Sequence, residues 1–469
     1  MRLINKYLIL IISILFLTSC STAVFTGFDT ENKAKVNDIA TQNCDLNNKN
    51  LKYDDKENPQ NLISIKDPVY HGSYLGYKAF LCGEFQKSIN IFNIVEDNYR
   101  FSVDEENIAK KAGKEVLHAV TNQNATDYEG LYFERILTNT YKAMDYLALK
   151  DYGAARVEIN RAINRQEIAR DEFEKAISKK REKLNSTDEN NNMANKIIQE
   201  NFDFLQTKAY KDFTNPFVSY FAGLFFVLDK DYSKARFQFR ETSVQENNIY
   251  IAQDYILANT NFNIKKNKKS KNKIISSMDI SNNGKYIWLI FDNGYGLNLK
   301  ETNFTIPFMV TNDGVAGLSS LNFAMATLGD SYKSYDYLFI NDKDTKLLSD
   351  MDSVITAEYK ANLAYRVTKT IINLTAKTAL NTAATKEDRT LGLATNIFTF
   401  LTNHADTRYF VGVPKEYQVA RVPNNGKIII SNPNKEIILE ENLNPNKHFV
   451  IYIKSPIAGV FYKQIFEER

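Results

Sequence analysis

YKAMDYLALKDYGAARVEI, residues 141–159, decides how the N-terminal half of this 469-residue chain is read. A small residue, Ala143, is followed nine positions later by Tyr152, then three on by Ala155 and four on by Ile159. Apolar residues at three- and four-residue steps predict amphipathic helices. The same template returns in YLGYKAFLCGEFQKSINIF (74–92), with Gly76, Phe85, Ser88 and Phe92. It returns again in FAGLFFVLDKDYSKARFQF (221–239), with Gly223, Tyr232, Ala235 and Phe239.

This spacing resembles the tetratricopeptide repeat, although the proline that closes that family's signature is missing from all three segments. The resemblance implies a solenoid of antiparallel helix pairs over residues 67–262. Gly76, Ser88, Ala143, Ala155, Gly223 and Ala235 would let paired helices approach, and Phe85, Tyr152 and Tyr232 would wedge between them. The aromatic positions lie 67 and 80 residues apart, against a family period of about 34. The first gap suits a degenerate repeat near Glu105–Thr121, and the second requires an insertion at 165–210. There, two thin apolar seams flank STDENNN (186–192), which predicts a projecting helical hairpin, either a partner-docking arm or a brace folded along its neighbours.

Working outward to the N-terminus, Arg2 and Lys6 precede YLILIISILFL (7–17). Eleven residues suit a secretory leader and fall short of the roughly 20 of a membrane span. Leu17-Thr18-Ser19-Cys20 resembles the lipobox of bacterial lipoproteins. That resemblance implies removal of residues 1–19 as a signal peptide and attachment of diacylglyceryl and palmitate-type acyl chains at Cys20. Ser21 in place of aspartate favours, by the same resemblance, the outer membrane, and the protein is expected to face the periplasm. Residues 20–66, rich in Asn, Asp and Lys, read as a lipid-anchored flexible tether. Cys44 and Cys82 would sit where disulfides persist, and the sequence leaves their pairing open.

Beyond the repeats, a Lys-rich linker spans 263–284, with six lysines in KKNKKSKNK (265–273). Residues 285–469 read as an α+β domain. Strands are expected at 286–291, 302–308 and 335–340, and helices at 318–328, 347–383 and 386–403. Residues 404–469, with five short strand-like runs and the turn signals PNNGK and NPNK, read as a small β-sandwich-like tail. The whole chain is therefore expected to be α+β. The phrases FDNGYGLNLKE (291–301), YRVTK (365–369) and HADTRYFVGVPKEYQVARV (404–422) resemble an uncharacterised family of conserved bacterial lipoproteins with this two-part build. That family brings no activity with it.

Few residues are marked for chemistry. A formal charge of +3 over the whole chain excludes a strong nucleic-acid field. Four histidines, 71, 118, 404 and 448, have no zinc-ligand spacing, so no metal or cofactor is expected. Gly294 and Gly296 lack the further residues of a phosphate loop. His404, Asp406 and Arg408 form the densest polar cluster, open to an acid–base reading but without an accompanying nucleophile. The expected function is a non-enzymatic protein-binding scaffold in envelope assembly, secretion or cell-wall synthesis, gripping an envelope protein in the repeat groove. Two alternatives stand beside it: an envelope hydrolase or glycan binder centred on His404, Asp406 and Arg408, and a surface-exposed adhesin or antigen.

Overall fold

A computed structural model describes residues 28–53, 62–99, 127–182, 188–201, 214–266, 284–312, 315–387 and 404–469. The leader with Cys20, the degenerate repeat at 105–121, most of the Lys-rich linker and all but the first two residues of the helix expected at 386–403 lie outside these residues. The described chain opens with α1 (Asp29–Ala40), β1 (Leu51–Tyr53) and β2 (Leu62–Ile65). Helices follow: α2 (Pro68–Leu81), α3 (Phe85–Tyr99), α4 (Tyr132–Ala148), α5 (Tyr152–Glu182), α6 (Asp188–Asn201), α7 (Pro216–Leu228), α8 (Tyr232–Gln245) and α9 (Ile249–Lys266). The C-terminal part runs β3 (Tyr286–Asn293), β4 (Leu299–Asn312), β5 (Val315–Leu328), β6 (Phe339–Ile340), β7 (Lys343–Asp344), β8 (Lys346–Asp350), α10 (Met351–Glu387), β9 (Glu416–Pro423), β10 (Lys427–Ser431), β11 (Ile437–Asn442), β12 (Phe449–Ser455) and β13 (Tyr462–Glu467). The class is α+β.

Helices α2/α3, α4/α5 and α7/α8 are hairpins built on one turn. Gly83, Lys150 and Lys230 each adopt left-handed backbone, with φ of 78°, 61° and 60°. Each donates its N–H to the carbonyl three residues back, Phe80, Leu147 and Val227. The next residue's N–H reaches five back, to Ala79, Tyr146 and Phe226. This closes the helix end and reverses the chain. Across the hairpin the helices touch at the small residues. A Cβ on Gly76 would stand 2.6 Å from the Phe92 ring, and one on Gly223 the same distance from Phe239. The α7 sequence PFVSYFAGLFFVL has no polar face, and every residue of it is buried.

What buries the first helix of each hairpin on its other side is a five-stranded sheet of order β13-β12-β3-β9-β8. β3 and β12 are parallel, and the other neighbours are antiparallel. All eight residues of β3 are buried, as in a central strand covered on both faces. The register lines up Trp288, Arg421 and Val450, and likewise Asp292, Tyr417 and Lys454. β11-β10-β6-β7 form a second sheet, and β4-β5 a separate ribbon.

Three expectations change. The C-terminal strands do not close on themselves: β9, β12 and β13 join β3 and β8, because a strand as apolar as YIWLIF needs a neighbour on each edge. Residues 318–328 are not helical but belong to β5, paired residue for residue with β4. The third change concerns the tether. Its described residues, 28–53 and 62–66, are docked. Asn32 Nδ2 donates to the Thr407 carbonyl at 2.9 Å, Tyr295 OH to the Val36 carbonyl at 3.0 Å and Tyr462 OH to the Ile39 carbonyl at 2.8 Å. Lys78 Nζ lies 2.7 Å from Asp38 Oδ2, and Lys35 Nζ sits 3.0 Å above the Tyr70 ring. Burial, opposed by Glu31, pushes the Lys35 amine down to about 7. A disulfide joins Cys44 to Cys82 at the end of α2 and locks this clasp.

Candidate functional site: the two faces of the helical hairpins

The inner face, expected to grip a partner, is filled by the protein's own sheet. Tyr77 of α2 donates through OH to Asp292 Oδ2 at 2.9 Å, and Tyr452 OH donates to the same oxygen. Lys454 Nζ lies 2.6 Å from Asp292 Oδ1 and 2.6 Å from the Gly294 carbonyl. Tyr141 of α4 meets Tyr417 hydroxyl to hydroxyl at 2.6 Å, and Phe217 of α7 stacks on Tyr417 with centroids 3.6 Å apart. Farther along, Asp254 of α9 accepts from Tyr220 OH, from Trp288 Nε1 at 3.0 Å and from Arg421 Nη1 at 2.7 Å. Burial pushes both aspartates up and Lys454 down, against the pull of each partner's charge. These groups satisfy one another, as buried polar groups must. They fasten helices to sheet.

The predicted packing positions fall inside the hairpins. Ala143, Ala155 and Ala235 are fully buried, and Ser88 Oγ lies 2.9 Å from the Gly76 carbonyl. Phe85, Tyr152 and Tyr232 start the second helices and are partly buried against the core. The inserted seam residues Ala194 and Ile197 of α6 pack with Tyr359, Leu363, Val367 and Ile371 of α10. In this part the insertion lies along a neighbour.

His404, Asp406 and Arg408 come together only as a structural junction. Arg408 is 2 % exposed. It donates to Asp406 through Nε at 2.8 Å and Nη2 at 2.7 Å, and to Asp67 Oδ2 through Nη1 at 2.6 Å. Burial alone would raise the Asp406 carboxyl, but the Arg408 charge and hydrogen bonds hold it below its usual range. His404 Nδ1 points elsewhere, 3.2 Å from both carboxylate oxygens of Glu301. Among the described residues, no three His, Cys, Asp or Glu side chains gather to hold a metal.

The outer face is different. α5, α7, α8 and α9 frame an open groove of about 490 Å³ lined by Phe226, Phe237, Tyr255, Lys234, Arg236 and Arg240 among others, with no carboxylate in its lining. The cations lie over rings: Lys234 5.2 Å from the Phe226 centroid, Arg236 3.9 Å from Phe262 and Arg240 5.2 Å from Phe237. Phe237 is 44 % exposed and Val244, two turns along α8, 75 %. Asp231 already caps α8 by accepting from the Lys234 N–H, so the positive charge of the groove is that of its side chains, of which Arg240 also lies 3.6 Å from Glu241. Stacked cations beside open aromatic rings suit a partner that brings acidic and apolar groups together. The repeat template marks Tyr232 and Ala235 for packing and passes over the alternation of basic and aromatic residues in KARFQFR (234–240), which is the signal for this surface. No known family, curated protein or solved structure matches the chain.

Proposed function

We propose that the protein is a lipoprotein anchored to the outer membrane through Cys20, on the periplasmic face. It acts as a non-enzymatic scaffold that holds an envelope protein in the outer groove during envelope assembly, secretion or cell-wall synthesis. The observation that carries this reading is the groove itself: cationic, aromatic and open, and framed in part by α7 and α9, which also pack on the protein's own sheet. The repeated turn and the Gly76–Phe92 and Gly223–Phe239 contacts support reading the hairpins as tetratricopeptide-like. The tail is read as sandwich-like only in that its strands feed two sheets.

Photo-crosslinking residues placed at Phe237 and Val244, with Ile437 on β11 as an exposed control, test the reading in intact cells. A discrete protein adduct from the groove positions and none from position 437 is expected. Equal labelling from all three, or none from the groove, defeats it. In the same cells, Cys20→Ala should abolish fatty-acid labelling.

A further inference from the structure

β4 and β5 form a ribbon of 14 residues per strand, paired without interruption from Leu299 with Leu328 to Asn312 with Val315. Among the described strands it pairs with no other. At about 3.4 Å per residue such a ribbon is roughly 48 Å long. Its base is held: Phe304 and Phe323 stack with centroids 5.4 Å apart, and Phe323 and Met325 pack in one cluster with Tyr359, Leu363 and Val367 of α10. A lone two-stranded ribbon is marginal in water, and its edges invite further pairing.

The sequence says what covers the rest. From Thr302 to Gly329 there is a single charged residue, Asp313, between the two strands, while Lys300, Glu301 and Asp330 stand at the base. Positions 304, 306, 308 and 310 are Phe, Ile, Phe and Val, paired with Phe323, Leu321, Ser319 and Gly317. A strand's period of two puts these positions on one face. The alternate positions, 303, 305, 307, 309 and 311, are Asn, Thr, Pro, Met and Thr, paired with Ala, Asn, Ser, Leu and Ala. By sequence, one face is apolar but for Ser319 and Gly317, and the other is uncharged and mixed, five of its ten residues being Asn, Ser or Thr. The charge-free spans 302–312 and 315–325 match the roughly 9–11 tilted residues with which a strand crosses hydrocarbon.

The ribbon's base also adjoins the N-terminal end of the described chain. Glu301 accepts the Ala405 N–H at 2.8 Å. Two residues on, Thr407 Oγ1 donates to Asp29 Oδ1 at 3.0 Å, and the Thr407 carbonyl accepts from Asn32. Ribbon base and α1 therefore meet on one side of the body.

The geometry points to a membrane-inserted ribbon: β4–β5 crosses the lipid bilayer, and its two open edges are closed by the same ribbons of neighbouring copies in an oligomeric β-barrel. Oligomerisation is required, because in hydrocarbon each unpaired backbone N–H or C=O costs several kcal/mol and only closed barrels avoid that. The inference rests on the lipoprotein reading only for which side of the molecule meets the membrane.

The test uses the full-length acylated protein in phosphatidylcholine–phosphatidylglycerol vesicles, with single cysteines at positions 305 to 310 carrying an environment-sensitive fluorophore. Positions 306, 308 and 310 should be quenched by a lipid-dissolved nitroxide, and 305, 307 and 309 by aqueous iodide. Crosslinked native gels should show a defined multimer. Iodide quenching at all six positions, protection from both quenchers as by a protein partner, or a monomer throughout overturns it. Phe308→Asp should lose vesicle insertion while keeping the Cys44–Cys82 bond and the far-ultraviolet spectrum of the wild type. If wild-type protein purified from cells carries no fatty acid on Cys20 yet shows the alternation, the anchor fails and the ribbon stands; if it is acylated without alternation, the reverse holds.

Discussion

Ser88 has one hydroxyl hydrogen and two close neighbours, the Gly76 carbonyl at 2.9 Å and Asp145 Oδ2 at 2.6 Å. The carbonyl can only accept, so both contacts are satisfied when Asp145 is protonated and donates to Ser88. Burial agrees: it pushes the Asp145 carboxyl well above the usual range, against the Ser88 contact and the Lys142 charge. The other oxygen, Oδ1, has no partner within the described protein. The folded state thus binds this proton more tightly than the unfolded chain. Its contribution is complete in acid, below the unfolded carboxyl pKa of about 4, and is lost as pH rises toward the raised folded value. Asp145→Asn keeps a donor for Ser88 and carries no charge. It should unfold at higher denaturant concentration than wild type at pH 8, with the gap closing near pH 4; a gap unchanged with pH would refute the assignment. The spacing template identifies Ser88 as a small packing residue, but nothing local points to Asp145, 57 residues away. The same holds for Arg408. Its place in a polar cluster is visible in the sequence, yet its chemistry is not, because Asp67, its second carboxylate, lies 341 residues earlier.

At the scale of elements, the hairpins are legible because their signal is local: a small residue, an aromatic and a large apolar residue at fixed steps. The turns carry a further signal. Lys150 and Lys230 occupy the left-handed position that Gly83 fills in the first hairpin, where a Cβ costs about 1 kcal/mol or more. Lys150 also pairs with Glu467 at 2.8 Å, so the clean comparison is between two variants that both lack the amine. Lys150→Gly should be more stable than Lys150→Ala by about 1 kcal/mol in urea unfolding; equality would mean that the turn relaxes at no cost. The elements that differ from expectation do so for non-local reasons. LSSLNFAMATL (318–328) has apolar residues at 318, 321, 325 and 328 for a helix and at 321, 323 and 325 for a strand, and only pairing with β4 decides. α1 escapes the pattern because it docks largely through hydrogen bonds from distant tyrosines to its Asn32 side chain and its carbonyls, and from its own Asn32 amide to the Thr407 carbonyl. Hydrophobic patterning does not register such bonds.

Over the whole molecule, N-terminal clasp, helices and sheet are joined by bonds between distant parts of the chain. The clasp bonds to α2, to the Thr407 segment and, through Tyr462, to β13, the last strand of the chain. The Cys44–Cys82 bridge closes a separation of 38 residues around it, which in the chain-entropy account stabilises by about 4 kcal/mol. Cys44→Ala should lower stability by about 2–4 kcal/mol and make residues 28–66 the first segment cut by protease. Unchanged proteolysis there would show that the hydrogen bonds hold the clasp unaided. The same clasp limits distance. Only Ser21–Gly27 separate Cys20 from the buried Phe28, and eight fully extended steps reach about 28 Å. With Cys20 in the membrane, as proposed, a body moored that closely has little volume to sweep. It would meet its partners by lateral diffusion in a plane, so the frequency of encounter would depend on copies per area of membrane.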